Sequence, residues 1–417
     1  TQGNTLPKMS TIEYNSDELE APEWLNGQFF TDVLTHHHNS SNVKVIDFKI
    51  SPATAKGDHY ASIMFRAEIE YTLLDEKLSK PIIIKTMPEQ ECFKKEFLGE
   101  AKFFQTEITM YTEMLPKLEA ILRKAGDDTT LCAKCLYHTL KPRQVMVFED
   151  LVPQGYSVVR KRLANLTEIK AAILKLAKWH AVSFKLLKDD PTLFDKLKYD
   201  LTQVPNYLEQ DFMKSGVSNL LKSIRKNDKL QEYLKYIEPL KDSLLKRWVQ
   251  IIREYRENRQ DGAYYVLCHG DFHLKNMMFK EGECMLLDFQ ISYVGSMTND
   301  LLYSLYMFAG PEERRDRYDE LIYYYFTHFI STLKTIGYQG KMPKLVELRK
   351  QLFERRHHEI FLMSTFLPIF NHMRRGLDAA DIMEKSDTRH QLYYDKEYIA
   401  DMEYLLPRML HLGYFEK

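Results

Sequence analysis

From Ser62 to Leu73 the chain alternates without a break. Ile63, Phe65, Ala67, Ile69, Tyr71 and Leu73 fall on one side, and Ser62, Met64, Arg66, Glu68, Glu70 and Thr72 on the other. A period of two held this long predicts a half-buried antiparallel strand and excludes an all-helical fold. Neighbouring segments extend the sheet. Val43, Val45, Phe48 and Ile50 predict a strand before it, and Ile82-Ile83-Ile84-Lys85 one after it, beyond a polar turn at Asp75 to Lys80. Cys135 to Leu140 and Gln144 to Phe148, joined by Lys141-Pro142-Arg143, complete five strands. A helix is expected from about Asp17 to Leu34. A second is expected from about Glu91 to Leu115, where Phe97, Ala101, Phe104, Ile108 and Tyr111 recur at helical spacing and Pro116 acts as the stop.

After Glu149-Asp150-Leu151 the period changes. Asn165-Leu166-Thr167-Glu168 has the form of a helix start, and Ile169, Ile173, Leu176, His180 and Phe184 continue at helical spacing. From there to Lys417 the chain reads as mostly helical, with one short strand pair near residues 276 to 288. The expected fold is α+β and two-lobed. Residues 1–150 form a lobe with a five-stranded antiparallel sheet and one helix, preceded by the N-terminal helix, and residues 151–417 form a larger helical lobe.

Charge narrows the function. Lys and Arg number 58 against 59 Asp and Glu, so a basic surface for nucleic acid is not expected. No run of 18 apolar residues suggests a membrane span. The five cysteines are sparse and odd in number, and no signal peptide is visible, so a cytoplasmic protein with reduced thiols is expected; a monomer is expected as well. Cys132-x-x-Cys135 lacks the second ligand pair that zinc needs, and His36-His37-His38 reads as a solvated loop.

The chemistry concentrates in Cys268-His269-Gly270-Asp271-Phe272-His273-Leu274-Lys275-Asn276 and Asp288-Phe289-Gln290. Met277-Met278-Phe279 and Cys284-Met285-Leu286-Leu287 flank a polar turn and predict a hairpin. A hairpin brings the residue before its first strand beside the residue after its second, so Asn276 and Asp288 meet at the open end with Asp271 looping over them. An amide oxygen beside a carboxylate is a hard-oxygen site suited to Mg²⁺. Phosphoryl transfer needs that layout, with Asp271 as base and Asn276 and Asp288 holding metal. The plainer reading, Asp and Asn satisfying turn backbone, does not account for the whole set. Lys85 ends an apolar strand where an ammonium reaches ATP phosphates. Glu107 on the next helix is its expected partner, with Glu100 as a competitor. Lys56, Gly57 and Asp58 would form a phosphate loop between the first two strands, and the backbone of Phe148-Glu149-Asp150-Leu151 would bond adenine.

Together these residues resemble the protein-kinase-like fold. Only eleven residues separate Asp288 from Asp300-Leu301-Leu302, and no Ala-Pro-Glu follows. This resembles small-molecule kinases such as choline kinases and aminoglycoside phosphotransferases rather than protein kinases. Within them the chain resembles the ecdysteroid kinase-like family of insects. The likeness rests on Lys56-Gly57-Asp58-His59-Tyr60-Ala61-Ser62, Phe104-Gln105-Thr106-Glu107-Ile108-Thr109-Met110-Tyr111 and Glu149-Asp150-Leu151, with Leu176-Ala177-Lys178-Trp179-His180-Ala181 and Cys268-His269-Gly270-Asp271. It spans about residues 40 to 330. His273 departs from the Trp of many relatives. The resemblance implies transfer of the ATP γ-phosphate, with Mg²⁺, to a hydroxyl of an ecdysteroid or, in a detoxifying role, of an ingested compound. A non-catalytic ligand-binding relative is the alternative, disfavoured because Lys85, Asp271, Asn276 and Asp288 are all present.

Overall fold

The structure, a computed structural model, describes residues 20–53, 62–88, 102–160, 162–197, 199–374 and 385–416. The chain divides into two compact units. The first holds the described residues of 1–98 together with 136–149, and the second those of 99–135 and 150–417. The inserted helical segment thus groups with the second unit and not with a lobe of residues 1–150. Its contacts give the reason: Tyr111 meets Phe289 edge-on at 5.1 Å, and Asp127 pairs with Lys178 at 2.7 Å.

In the first unit, β1 (Val43–Pro52), β2 (Ile63–Leu73), β3 (Glu76–Thr86), β4 (Cys135–Thr139) and β5 (Val145–Glu149) form one sheet in the order β1-β2-β3-β5-β4. The β1–β2, β2–β3 and β3–β5 pairs are antiparallel. The alternation of β2 does what its period implies: Phe65, Ala67, Ile69 and Tyr71 are buried in one cluster with Ile82, Ile84, Val145 and Val147. Phe30, Val33 and Leu34 of α1 (Gly27–His38) join the same cluster. Burying side chains of this size is worth about 1.5–3 kcal/mol each, and a one-residue slip would turn the whole set to solvent.

Several expectations are corrected here. The apolar positions of β1 change phase after Val45 because the pairing shifts between Val45 and Asp47, a bulge that leaves Ile46 half exposed. The turn after β2 is only Leu74-Asp75, with φ of 51° and 69°, the left-handed pair of a type I′ hairpin. Glu76 to Lys80, read as turn, therefore pair as strand with Leu73 to Ile69. α1 starts ten residues later than expected, because the Asn26 side chain accepts from Gln28 N and Phe29 N and caps it there. It continues through the three histidines to Asn39, which has φ 48°. They lie on the helix instead of in a loop, and two of them are hydrogen-bonded: His36 Nδ1 lies 3.1 Å from the Leu136 carbonyl and His38 Nε2 2.9 Å from the Tyr71 hydroxyl.

In the second unit, α2 (Phe103–Thr109), a π turn (Met110–Met114) and α3 (Leu115–Lys124) follow without a break, so Pro116 does not stop the helix. The wide turn shifts the register, and the proline falls in the first turn of α3, where its missing N–H is not needed. The expected onset near Glu91 lies outside the described residues. α4 (Leu166–Asp189) opens with a capping box in which Asn165 and Glu168 satisfy each other's backbone N–H groups. β6 (Tyr265–Cys268) pairs with β9 (Tyr293–Ser296), a sheet not foreseen from runs of four residues, and β7 (Met277–Lys280) pairs with β8 (Glu283–Leu286) as the expected hairpin. α5 (Met297–Tyr303) leads directly out of β9. α6 (Tyr318–Thr335) packs on α4, with Phe184 and Phe329 edge-on at 5.7 Å, and α7 (Leu367–Arg374) follows later. Among the described residues no helix is long and apolar enough to cross a membrane.

Candidate active site

The loop His269–Asn276 leaves the end of β6 and enters the hairpin at Met277. Gly270 has φ 85°, and a Cβ there would lie 2.4 Å from the Ile291 carbonyl oxygen, so only glycine fits. The turn aims its N–H groups at one buried carboxylate. His269 N donates to Asp300 Oδ2 at 2.6 Å and Gly270 N to Asp300 Oδ1 at 3.0 Å. His180 Nε2 lies 3.1 Å from Asp300 Oδ2, and the Tyr325 hydroxyl lies 2.7 Å from His180 Nδ1. Burial alone would push the Asp300 carboxyl up; the bond from His180 and the backbone donors outweigh it and hold it below its ordinary value.

His180, Cys268 and Asp300 are the one cluster of three metal-type ligands among the described residues. Their geometry is that of a brace. Asp300 already accepts from the loop and His180, and burial pushes the Cys268 thiol far from the thiolate a metal requires.

The brace presents Asp271. Its Oδ1 accepts from the Tyr303 hydroxyl at 2.6 Å, and its Oδ2 accepts from Asn276 Nδ2 at 3.0 Å. His273 Nε2 lies 3.2 Å from the same Oδ2. His273 Nδ1 accepts from Lys275 N at 3.2 Å, which puts the ring proton on Nε2, facing the carboxylate. Burial raises the Asp271 carboxyl, but His273 first, then the Tyr303 hydroxyl and His269, more than reverse this. The group sits below the usual carboxylate range and is ionised at neutral pH.

The hairpin places Asn276 and Asp288. Leu287 N donates to the Asn276 carbonyl at 2.9 Å, one step beyond the Met277–Leu286 register, and Asp288 comes next. Asp288 has φ 60°, a left-handed conformation that costs a non-glycine residue about 1–2 kcal/mol. Its neighbours hold it there. His269 Nε2 donates to the Leu287 carbonyl at 3.0 Å while His269 Nδ1 accepts from Asp271 N at 3.3 Å, an arrangement for a neutral ring, and burial lowers its pKa accordingly. Phe289 is buried beside Trp179 and His269, at 5.3 and 5.1 Å between ring centres. Leu286 N donates to the Leu131 carbonyl, and Phe279 exchanges backbone bonds with Ser157, so both hairpin strands are flanked.

Asp271, Asn276 and Asp288 are thus brought together by one loop and one hairpin. Lys85 is buried in the first unit, paired in the sheet with Met64 and Met146, and Glu107 is buried on α2 in the second. Glu149 ends β5, and Asp150 Oδ1 accepts from Val152 N at 3.0 Å. Leu151 packs among Ala133, Tyr156, Met278 and Met285, and its carbonyl accepts from Gln154 N and Tyr156 N. That carbonyl is committed to a turn. Lys56, Gly57, Asp58 and Glu100 lie outside the described residues. The sequence reading gave no role to His180, Asp300 or Tyr303. The available signal was the spacing of Asp300 and Tyr303, one turn apart on α5. An aromatic wall adjoins Asp271: Phe370 of α7 lies edge-on to His273 at 5.1 Å and to Tyr303 at 6.2 Å, with Phe366 edge-on to Tyr303 at 6.4 Å.

A model of the ecdysteroid kinase-like family matches residues 56–338, more than half of the chain. The chain belongs to that family. By that membership it is a small-molecule kinase, and its fold is α+β. Solved structures similar to it include an ethanolamine kinase of Plasmodium vivax, at 15% identity and TM-score 0.45, covering 91% of each chain. A choline kinase from Cryptosporidium parvum is 10% identical, with TM-score 0.42 and coverage of 93% of this chain and 98% of that one. An amicoumacin kinase in complex with AMP-PNP and Ca²⁺ is 14% identical, with TM-score 0.42 and coverage of 91% and 93%. No curated protein matches the chain.

Proposed function

We propose that this kinase transfers the γ-phosphoryl group of ATP to a hydroxyl of an ecdysteroid. The observation that carries the reading is the Asp271 carboxylate, held by Tyr303 and Asn276 and set against the wall of Tyr303, Phe366 and Phe370. A base beside aromatic rings suits an apolar skeleton bearing a hydroxyl. Asp271 accepts the acceptor's proton. Lys85 is assigned to the phosphates and Glu107 to holding that ammonium. Lys56, Gly57 and Asp58 are assigned to the phosphate loop, and the backbone of Glu149 and Asp150 to adenine, since the Leu151 carbonyl is already engaged. The donor set fits Mg²⁺. Asn276 Nδ2 is committed to Asp271, which turns the amide oxygen away from it, and Asp288 adds a carboxylate. Bound there, Mg²⁺ would neutralise charge developing on the phosphates. We place the protein in the cytoplasm as a monomer.

The test is an acceptor panel of ecdysone, 20-hydroxyecdysone, choline, ethanolamine, kanamycin and plant phenolic glycosides, with ADP release and product mass measured. A phosphorylated steroid is expected. Phosphorylated choline or kanamycin with every steroid and glycoside inert overturns the acceptor. Glycosides alone would move the role to detoxification. Nucleotide binding without turnover on any acceptor would make the chain a non-catalytic relative.

A further inference from the structure

We infer that Tyr303 is a positioning residue whose phenol stands in for the acceptor's hydroxyl on Asp271 until the acceptor arrives. The inference rests on the reading of Asp271 as the base. The two oxygens of Asp271 are held by different parts of the chain. Oδ2 is served from within the loop itself, by Asn276 and His273. Oδ1 is served from outside it, by Tyr303 at 2.6 Å. Tyr303 ends α5, and Asp300, one turn earlier on that helix, accepts from the loop's N–H groups. One short helix therefore fixes both where the loop lies and which way its carboxylate points. The phenol is also part of the aromatic wall, through Phe366 and Phe370, so it occupies the side from which an apolar acceptor approaches. Burial, and then the charge of Asp271, push its acidity far down, so towards Asp271 it remains a donor, as an acceptor alcohol would be.

This placement has a chemical consequence. In transfer, the acceptor's O–H donates to Oδ1. Its oxygen bonds to the γ-phosphorus, the bond from that phosphorus to the oxygen bridging to ADP breaks, and the acceptor's proton passes to Asp271. Water can follow the same course, and the product is then phosphate. With the phenol on Oδ1, water is not oriented by the base, and ATP hydrolysis without acceptor is suppressed. An acceptor held against the wall takes its place on Oδ1 beside the phenol or instead of it.

Tyr303→Phe keeps the ring and removes the hydroxyl. Expected for this variant are a transfer kcat about tenfold lower, within the range of losses for a disturbed general base, and an unchanged KM for ATP. ATP hydrolysis without acceptor, taken as a ratio to transfer, should rise several-fold. A ratio equal to that of the wild type overturns the proposal, and so does a parallel fall of both rates accompanied by a lower thermal midpoint, which marks a mere prop. A second measurement does not depend on turnover. Urea midpoints of Asp271→Ala, Tyr303→Phe and the double variant should be non-additive, because either change alone removes the same bond; additive shifts refute the contact. A wild-type protein that consumes no ATP with or without any acceptor refutes the kinase reading and takes the stand-in role with it, while the unfolding cycle still reports whether the contact exists.

Discussion

Replacing Asp300 with asparagine changes one atom and should disable the loop that carries Asp271, the proposed base. The carboxylate accepts from His269 N at 2.6 Å, from Gly270 N at 3.0 Å, and faces His180 Nε2 at 3.1 Å. Asparagine has the same shape but only one acceptor atom. Its oxygen is better placed at the Oδ2 position, which serves both His269 and His180. The amide nitrogen then faces Gly270 N–H, donor against donor. A hydrogen bond to a charged group is worth about 1.5–3 kcal/mol, and a buried donor left without a partner costs about 1–3 kcal/mol. Asp300→Asn should therefore destabilise the fold by about 3–5 kcal/mol, a large part of the roughly 5–15 kcal/mol that holds a typical protein folded.

The effect on rate follows from the position of Gly270, which cannot move toward Ile291 and is pinned on its other side by Asp300. Freed from Asp300, it carries Asp271 with it. A misplacement of about 1 Å at a reacting group costs on the order of a hundredfold in rate. Urea unfolding followed by circular dichroism gives the first quantity, and steady-state ADP release the second. Both should fall together, with Mg·ATP affinity nearly kept. Wild-type turnover in Asp300→Asn would show that the loop does not depend on this brace. Lost turnover with unchanged stability would move Asp300 from support into the chemistry itself.

Asp271→Asn should abolish turnover while nucleotide binding survives, whereas Asp288→Asn should weaken Mg·ATP binding, read by calorimetry; equal loss in both would count against the division of roles, and full activity in EDTA would remove the metal. Lys85→Ala and Glu107→Ala should each lower kcat/KM, with Glu100→Ala nearly silent, and the opposite ranking of the two glutamates would assign the partner to Glu100. Burial holds His358 at about 4, against the opposing pull of the Asn299 carbonyl and Asp300. Because this lies below its ordinary 6.5, the folded state resists the proton: the contribution is intact above about pH 6.5 and is lost as pH falls toward 4, by about 3 kcal/mol in all. His358→Gln should flatten urea-measured stability across that window, and a variant whose loss between those pH values equals the wild type's would contradict the assignment.

What could be read from the residues alone divides by the distance over which each feature is decided. The faces of β2 and the hairpin that sets Asn276 near Asp288 are local: a two-residue period and a polar turn suffice, whatever the rest of the chain does. The phase change of β1 is not local, because a bulge is a relation between two strands, and only the partner β2 reveals that Val45 and Phe48 serve one face. Pro116 shows the same limit from the helical side. The rule that proline ends a helix assumes an unbroken four-residue register, and a π turn supported by tertiary packing of Met110, Tyr111 and Met114 removes that assumption. The brace is the extreme case. His180 and Asp300 are 120 residues apart, on helices whose periodicity marks both positions as buried but says nothing of their meeting. A buried carboxylate and a buried imidazole are each costly without a partner, so their presence on apolar faces was itself the clue that partners exist. The backbone N–H groups of His269 and Gly270 complete that pairing, and they are invisible to any reading of side chains. Asp271, the proposed base, is legible as a residue, and the geometry that holds it belongs to contacts that no spacing along the chain encodes.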